Sequence, residues 1–274
     1  TRIMPVMIRV DGNAFHTFTR GFERPFDSIM AESMQRTMKY MCENISGCVL
    51  GYTQSDEITL LLIDYKKKNQ GAWFGYVKRK VETIAASMAT MAFNEAFSDV
   101  ITEKISEDIM KVQNDEEAEK VKDYYFKYVK KCGRAMFDAR AFNIPEFEVV
   151  NEFIWRQQDC TRNSIQSVGH ANFSDKKMHK KNMSQIQDML MLKKGINWND
   201  FPTFLKRGSC CIKEDYFIPE NELPENHRNN LSPRTLDPEE DEYGVWRSRW
   251  VIDKEIPIFT QNKNYVNDLF LNKH

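Results

Sequence analysis

The 274-residue chain carries almost no net charge, because 39 Lys and Arg stand against 40 Asp and Glu. That balance excludes a histone-like protein or a basic tail that holds nucleic acid by bulk charge. It leaves room for a nucleic-acid enzyme, which needs only a local basic face. Membrane-length apolar runs are absent too: the longest are strand-length, against the roughly 20 residues that a spanning helix needs. No signal-peptide pattern opens the chain, and no internal repeat is present. The six cysteines (42, 48, 132, 160, 210 and 211) include no C-x-x-C pair and no compact Cys/His zinc spacing. The adjacent Cys210 and Cys211 make poor geometry for an ordinary bridge. They read as reduced thiols of a cytoplasmic-type protein, mostly core filler. The chain starts at Thr1 rather than Met, so an initiator or a short leading segment is expected before it. Such a segment would leave a mitochondrial location open.

What is present suits a globular protein of one or two domains, with 41% hydrophobic and 29% charged residues. A chain of this size buries roughly 70–75% of its unfolded surface and needs no disulfide staples. Residues 4–10 (MPVMIRV) form an apolar, β-branched run ended by Asp11-Gly12, which predicts a buried strand and a tight turn. Asp27 follows Pro25 as a helix N-cap. Met30, Met34, Met38, Met41 and Ile45 then recur on one helical face up to Gly47. Residues 48–52 and 58–63 read as two strands of a hairpin around residues 53–57. A second helix is predicted with Val77, Val81, Ile84, Met88 and Met91 on one face. Residues 99–122 are charge-rich and predict an insertion or an exposed helix. Residues 135–144 give a fourth strand, stopped by Pro145.

The order strand, helix, strand, strand, helix, strand predicts an α+β, ferredoxin-like sheet (βαββαβ) of four antiparallel strands with both helices on one face. Polymerase palms, nucleotide cyclases, RNA-binding modules and metal chaperones share that arrangement, so fold alone assigns no function. The expected division is a palm-like catalytic region over 1–145 and a helical, basic extension over 146–274 packed on it. A long helix is predicted from Glu146 to about Phe173, with Phe153, Ile154 and Ile165 inward. Residues 162–213 carry a net +7, and residues 214–242, with four prolines, carry −8. The second stretch predicts irregular chain.

Asp11-Gly12 and Asp56-Glu57 are the residues most able to carry chemistry. In the predicted sheet both carboxylates converge at one edge, where hard oxygen ligands suit Mg²⁺. Two such ions can clamp the attacking and leaving oxygens of a phosphoryl transfer. Taken singly, each motif is also an ordinary turn. Gly12 would let backbone approach a ligand, and consecutive amides after it could cradle a triphosphate. Phe15 and Phe18 also suit a core, and His16 a structural hydrogen bond. Trp155 suits base stacking or core packing.

Residues 7–18 (MIRVDGNAFHTF), Arg24-Pro25, residues 51–57 (GYTQSDE), 137–140 (FDAR), 155–160 (WRQQDC) and 206–209 (KRGS) occur in this order. Together they resemble the tRNA-histidine guanylyltransferase family, including its guanylyltransferase-like 3′–5′ RNA polymerases, from about Met4 to Lys213. The resemblance implies a polymerase-like palm that adds nucleotides to the 5′ end of tRNA. A 5′-monophosphate is first adenylylated by ATP with release of pyrophosphate. The 3′-hydroxyl of GTP or another nucleoside triphosphate then attacks the activated phosphate and expels AMP.

Carried over residue by residue, the resemblance makes Asp11, Asp56 and Glu57 catalytic, with Asp11, Asp56 and the Gly12 carbonyl holding two Mg²⁺ ions. It gives nucleotide binding to Gly12, Asn13, Ala14, Phe15, His16, Arg24, Ser55 and Asp56. It gives RNA contact to Arg156, Lys206 and Arg207, and implies a homotetramer with tRNA as partner. Three departures stand out. Arg24 replaces the family's usual lysine, Asn13 stands where a basic residue is frequent, and residues 161–164 (TRNS) replace a His-Ile-Asn-Asn run. The last departure favours the branch that repairs or edits truncated tRNA 5′ ends over strict addition to tRNA-histidine. The competing readings are a palm-fold nucleotide cyclase and a non-catalytic RNA-binding module.

Overall fold

The computed structural model describes residues 3–65, 71–225, 231–234 and 242–271. Strand β1 (Val6–Gly12) runs into a one-turn helix α1 (Phe15–Phe18), entered through Ala14 at a φ of 54°. Asp27 then caps α2 (Ser28–Asn44), its carboxylate accepting from the Met30 amide at 2.9 Å and from the Tyr128 hydroxyl at 2.6 Å. Met30, Met34, Met38, Met41 and Ile45 are all buried, as the spacing predicts. Strands β2 (Cys48–Gln54) and β3 (Glu57–Leu62) pair as a hairpin whose two-residue tip is Ser55-Asp56, with Ser55 at a φ of 51°.

Helix α3 (Lys78–Ile109) departs from its predicted face. It buries Val81, Ala85, Ala89, Phe93, Phe97 and Ile101 against α2 and the sheet, while Val77 and Met91 are 58% and 51% exposed. The buried row steps by four residues, and its alanines let the two helices lie close. A search for large apolar residues passes over those alanines. The charge-rich segment is the end of α3 together with α4 (Asp115–Val129), which buries only Tyr125 and Tyr128.

Strand β4 (Phe137–Asn143) lies at the sheet's edge. Its Phe137 and Ala141 amides donate to Thr90 Oγ1 at 3.1 Å and Glu82 Oε1 at 2.9 Å, both on α3. Side chains thus occupy the outer edge, which would otherwise be open to another strand.

The sheet order is β4-β1-β3-β2-β5-β7-β6, antiparallel throughout. Its first four strands have the expected ferredoxin-like order. The extension after residue 145 is helical as predicted but also continues the sheet. Helix α5 (Val149–Asn172) is followed by α6 (Asp175–Met178), α7 (Met183–Lys194) and α8 (Thr203–Arg207). Then come β5 (Ser209–Pro219), the short β6 (Ser232–Pro233), β7 (Tyr243–Asp253) and α9 (Asn264–Leu271). The expected irregular stretch therefore opens as regular strand. Glu214 on β5 faces Arg249 on β7, with an ion pair at 3.0 Å, and Pro219 and Pro233 stand at strand ends. Residues 226–230 and 235–241 of that stretch lie outside the described residues.

Two apolar layers cover the sheet. Ile8, Val10, Ile58, Leu60 and Leu62 face α2 and α3. Met7, Leu50, Tyr52 and Leu61 face Phe153 of α5, with Ile256, Phe259, Val266 and Phe270. A smaller cluster joins Ile165 and Val168 of α5 to Met178, Ile186 and Leu190. Phe153 and Ile165 are buried as predicted, and Ile154 packs, partly buried, against the cluster that holds Phe153. Among the described residues no helix is long and apolar enough to cross a membrane.

Candidate active site

The antiparallel register puts Asp11 opposite Glu57 on β3 and opposite Asp138 on β4. Cross-strand neighbours share a face, so three carboxylates stand in a row at one end of the sheet. The Gly12 amide donates to the Asp56 carbonyl at 3.1 Å and ties the end of β1 to the hairpin tip. The structure thus brings Asp11 and Asp56 together. Burial first, then the nearby Asp56, Glu57 and Asp138 charges, push the Asp11 carboxyl up, with Arg140 opposing them. Burial also raises Asp56. Two half-buried carboxylates that resist ionisation are what a cation would neutralise.

Their donors are hard oxygens, the set that suits Mg²⁺, which binds through one or two carboxylates and completes its shell with water and phosphate oxygens. Among the described residues no group of three Asp, Glu, His or Cys side chains stands in a ligating arrangement. The fit is therefore to a cation that shares its shell with substrate, not to a closed protein cage.

Glu57, expected to be catalytic, is also engaged in structural contacts. Its carboxylate receives Arg156 Nη1 at 2.8 Å and the Thr59 hydroxyl at 3.2 Å, and Arg9 Nε lies 3.7 Å away. Arg9 in turn pairs with Glu152 of α5. Through Arg156, Glu57 fastens α5 to the sheet beside Asp11. Arg156, expected to contact RNA, is buried and paired with Glu57, with Asp159 at 3.7 Å. Lys206 is also buried and donates to the Asn199 carbonyl. Arg207 is half-buried beside it and has no carboxylate at ion-pair distance among the described residues. Of the expected RNA contacts only Arg207 keeps a free charge.

A cavity of about 440 Å³ opens next to Asp56, between the segment after β1, α2, the hairpin tip, α5 and α8. That volume suits a small-molecule ligand. Phe15, His16, Arg24, Ser55 and Asp56 line it, as expected of nucleotide-binding residues; Gly12, Asn13 and Ala14 do not. The Gly12 and Asn13 amides are already donated to Asp56 and Met136 carbonyls, which removes them from the expected phosphate cradle. A Cβ on Gly12 would strike the Phe15 ring well inside van der Waals contact. Packing alone therefore requires glycine there. Phe15 itself belongs to a buried aromatic cluster with Phe18, Phe93 and Phe137, so it shapes the cavity wall from the core.

Sequence reasoning missed Asp138, Gln35, Asn163 and Ser167. The last two follow α5 at a four-residue step and reach the cavity together with Gln35. Cys160 lines it as well, but burial pushes its thiol up to about 12, which excludes a thiolate nucleophile at neutral pH.

A family model described as tRNAHis guanylyltransferase matches residues 1–145. An uncharacterized protein of Acanthamoeba polyphaga mimivirus is 30% identical over 217 residues, spanning 76% of this chain and 69% of that protein. A tRNA(His) guanylyltransferase of Schizosaccharomyces pombe is 24% identical over 229 residues, 78% of this chain and 76% of its own. Among solved structures, a bacterial tRNA(His) guanylyltransferase (Thg1)-like protein in complex with ATP superposes with a TM-score of 0.75 at 37% identity, covering 100% of this chain and 93% of that one. A bacterial Thg1-like protein in complex with GTP gives 0.68 at 35%, covering 99% and 92%. The fold and the matched half of the sequence agree: this α+β palm is a nucleotidyltransferase and belongs to the tRNA(His) guanylyltransferase family.

Proposed function

We propose that this chain adds nucleotides to the 5′ end of tRNA in the 3′–5′ direction, in repair or editing of truncated 5′ ends. The observation that carries the reading is the pairing of Asp11 and Asp56 at the sheet's end, beside a cavity of nucleotide size. Relatives bound to ATP and to GTP support nucleoside triphosphates as substrates. Arg24 is exposed at the cavity wall, with no carboxylate at ion-pair distance among the described residues. It would meet phosphate, while the amides of Phe15 and His16 remain for the triphosphate. Ser55, Gln35 and Asn163 would orient the sugar or base by hydrogen bonds. Asp11 and Asp56 would hold Mg²⁺, which supplies charge neutralisation on the transferred phosphate and a lower pKa for the attacking hydroxyl.

Incubation with labelled ATP and a 5′-monophosphorylated tRNA lacking its first nucleotide tests the reading. Adenylylated RNA, followed by chain growth at the 5′ end, is expected. A cyclic nucleotide as the product would overturn it. Addition to mature tRNA-histidine alone would overturn the repair branch. Light scattering on the purified protein tests the homotetramer that completes the proposal.

A further inference from the structure

We propose that Trp155 is the stacking platform on which the 5′-terminal base of the RNA rests as its phosphate meets Asp11 and Asp56. The inference depends on the reading of the chain as an enzyme of tRNA 5′ ends. Its helix turns Val149, Val150 and Phe153 into the core, yet leaves the Trp155 side chain 60% exposed. The ring is not loose. The Arg156 guanidinium carbon lies 4.9 Å from its centroid, and that guanidinium is itself fixed by Glu57 at 2.8 Å. Glu57 is the cross-strand partner of Asp11. Strand register, an ion pair and a cation–π contact therefore lead in turn from Asp11 to an aromatic ring that is open to solvent.

The arginine at the ring's face restricts the rotamer freedom that binding would otherwise take away. An aromatic face of this kind, backed by arginine, binds nucleobases without regard to sequence.

The surrounding charge fits RNA as the occupant. Beyond α5 the chain presents Lys176, Lys177, Lys180 and Lys181, all exposed and without a carboxylate at ion-pair distance among the described residues. Unpaired cations on α6 and the chain just after it give phosphates a track leading away from the stacked end. A 5′-terminal base placed on Trp155 would leave its phosphate toward the sheet's end and the rest of the strand toward the lysines.

The test uses the whole protein, a 5′-monophosphorylated tRNA transcript, and the same transcript with an abasic 5′-terminal residue, with affinities measured at one fixed salt concentration. Trp155→Ala is expected to weaken the intact transcript by about 5- to 150-fold, the range of one lost base–aromatic stack. It should leave the abasic transcript and ATP binding within about twofold and the melting temperature unchanged, since the side chain is exposed. Trp155→Phe should restore most of the affinity.

A second variant carries Lys176→Gln, Lys177→Gln, Lys180→Gln and Lys181→Gln, and should weaken both transcripts alike with a shallower salt dependence. Unchanged binding by Trp155→Ala, with loss in the lysine variant, overturns the platform and keeps the tRNA reading. Unchanged binding in both variants overturns the tRNA reading as well. Dissociation of an oligomer by Trp155→Ala would assign this face to a second copy of the chain and also overturn the platform.

Discussion

Replacing Arg156 by Met separates a structural arginine from an RNA-binding one. The Arg156 and Glu57 side chains are 9% and 11% exposed and meet at 2.8 Å. Removing one partner of such a buried pair costs about 3–5 kcal/mol, because the remaining charge stays buried. Here Arg9 Nε at 3.7 Å and the Thr59 hydroxyl at 3.2 Å still face Glu57, so the loss belongs at the lower end, about 3 kcal/mol. In a chain of this size that corresponds to a fall in melting temperature of about 6–12 °C. Denaturant unfolding of the wild type, Arg156→Met, Glu57→Gln and the double variant forms a cycle. The double variant should recover about 2 kcal/mol relative to the sum of the single losses. A loss under about 1 kcal/mol, together with weaker tRNA binding and a shallower salt slope, would refute this reasoning and return Arg156 to the RNA surface.

Other perturbations probe separate parts of the fold. Asp11→Asn should abolish nucleotide addition yet stabilise the protein in EDTA at pH 7, because the folded Asp11 carboxyl is raised and its ionisation costs stability. That advantage over the wild type should shrink as pH falls through the folded value and vanish below the ordinary carboxylate range. A gap in unfolding free energy that does not change with pH refutes it. Gly12→Ala should cost about 1–3 kcal/mol in thermal or denaturant unfolding, through collision with Phe15. On α3, Ala89→Leu should cost a similar 1–3 kcal/mol, whereas the exposed Met91→Ala should stay within about 0.5 kcal/mol. The reverse ranking would restore the predicted helix face.

Strands β1 to β4 and helix α2 were legible because their apolar residues repeat at the period of the element and their ends carry Asp27, Gly47 and Pro145. The row of Ala85 and Ala89 was not, since an alanine signals close packing only once the neighbouring helix is in place. Strands β5 and β7 escaped for a different reason. Their acids and arginines are complementary only across the ladder, as Glu214 and Arg249 show, so each strand alone reads as solvated chain. Asp11 and Asp56 were found through their turns and the family resemblance. The roles of Glu57 and Arg156 depend on partners 99 residues apart, which no local pattern reports. Lys206 read as a free cation for the same reason: its burial is set by α8 lying against Asn199 and Trp198.

The capped edge strand bears on where the sheet can grow. Only β4 separates Asp11 from the margin of the sheet, and its Asp138 and Arg140 side chains are exposed on the face that carries Asp11. Thr90 and Glu82 take the Phe137 and Ala141 amides on the outer edge of that strand, which hinders a further strand from adding there and walling the carboxylates in. The sheet grows instead at its opposite margin, through β5, β7 and β6. Growth of the sheet is thereby directed away from the strand that flanks Asp11.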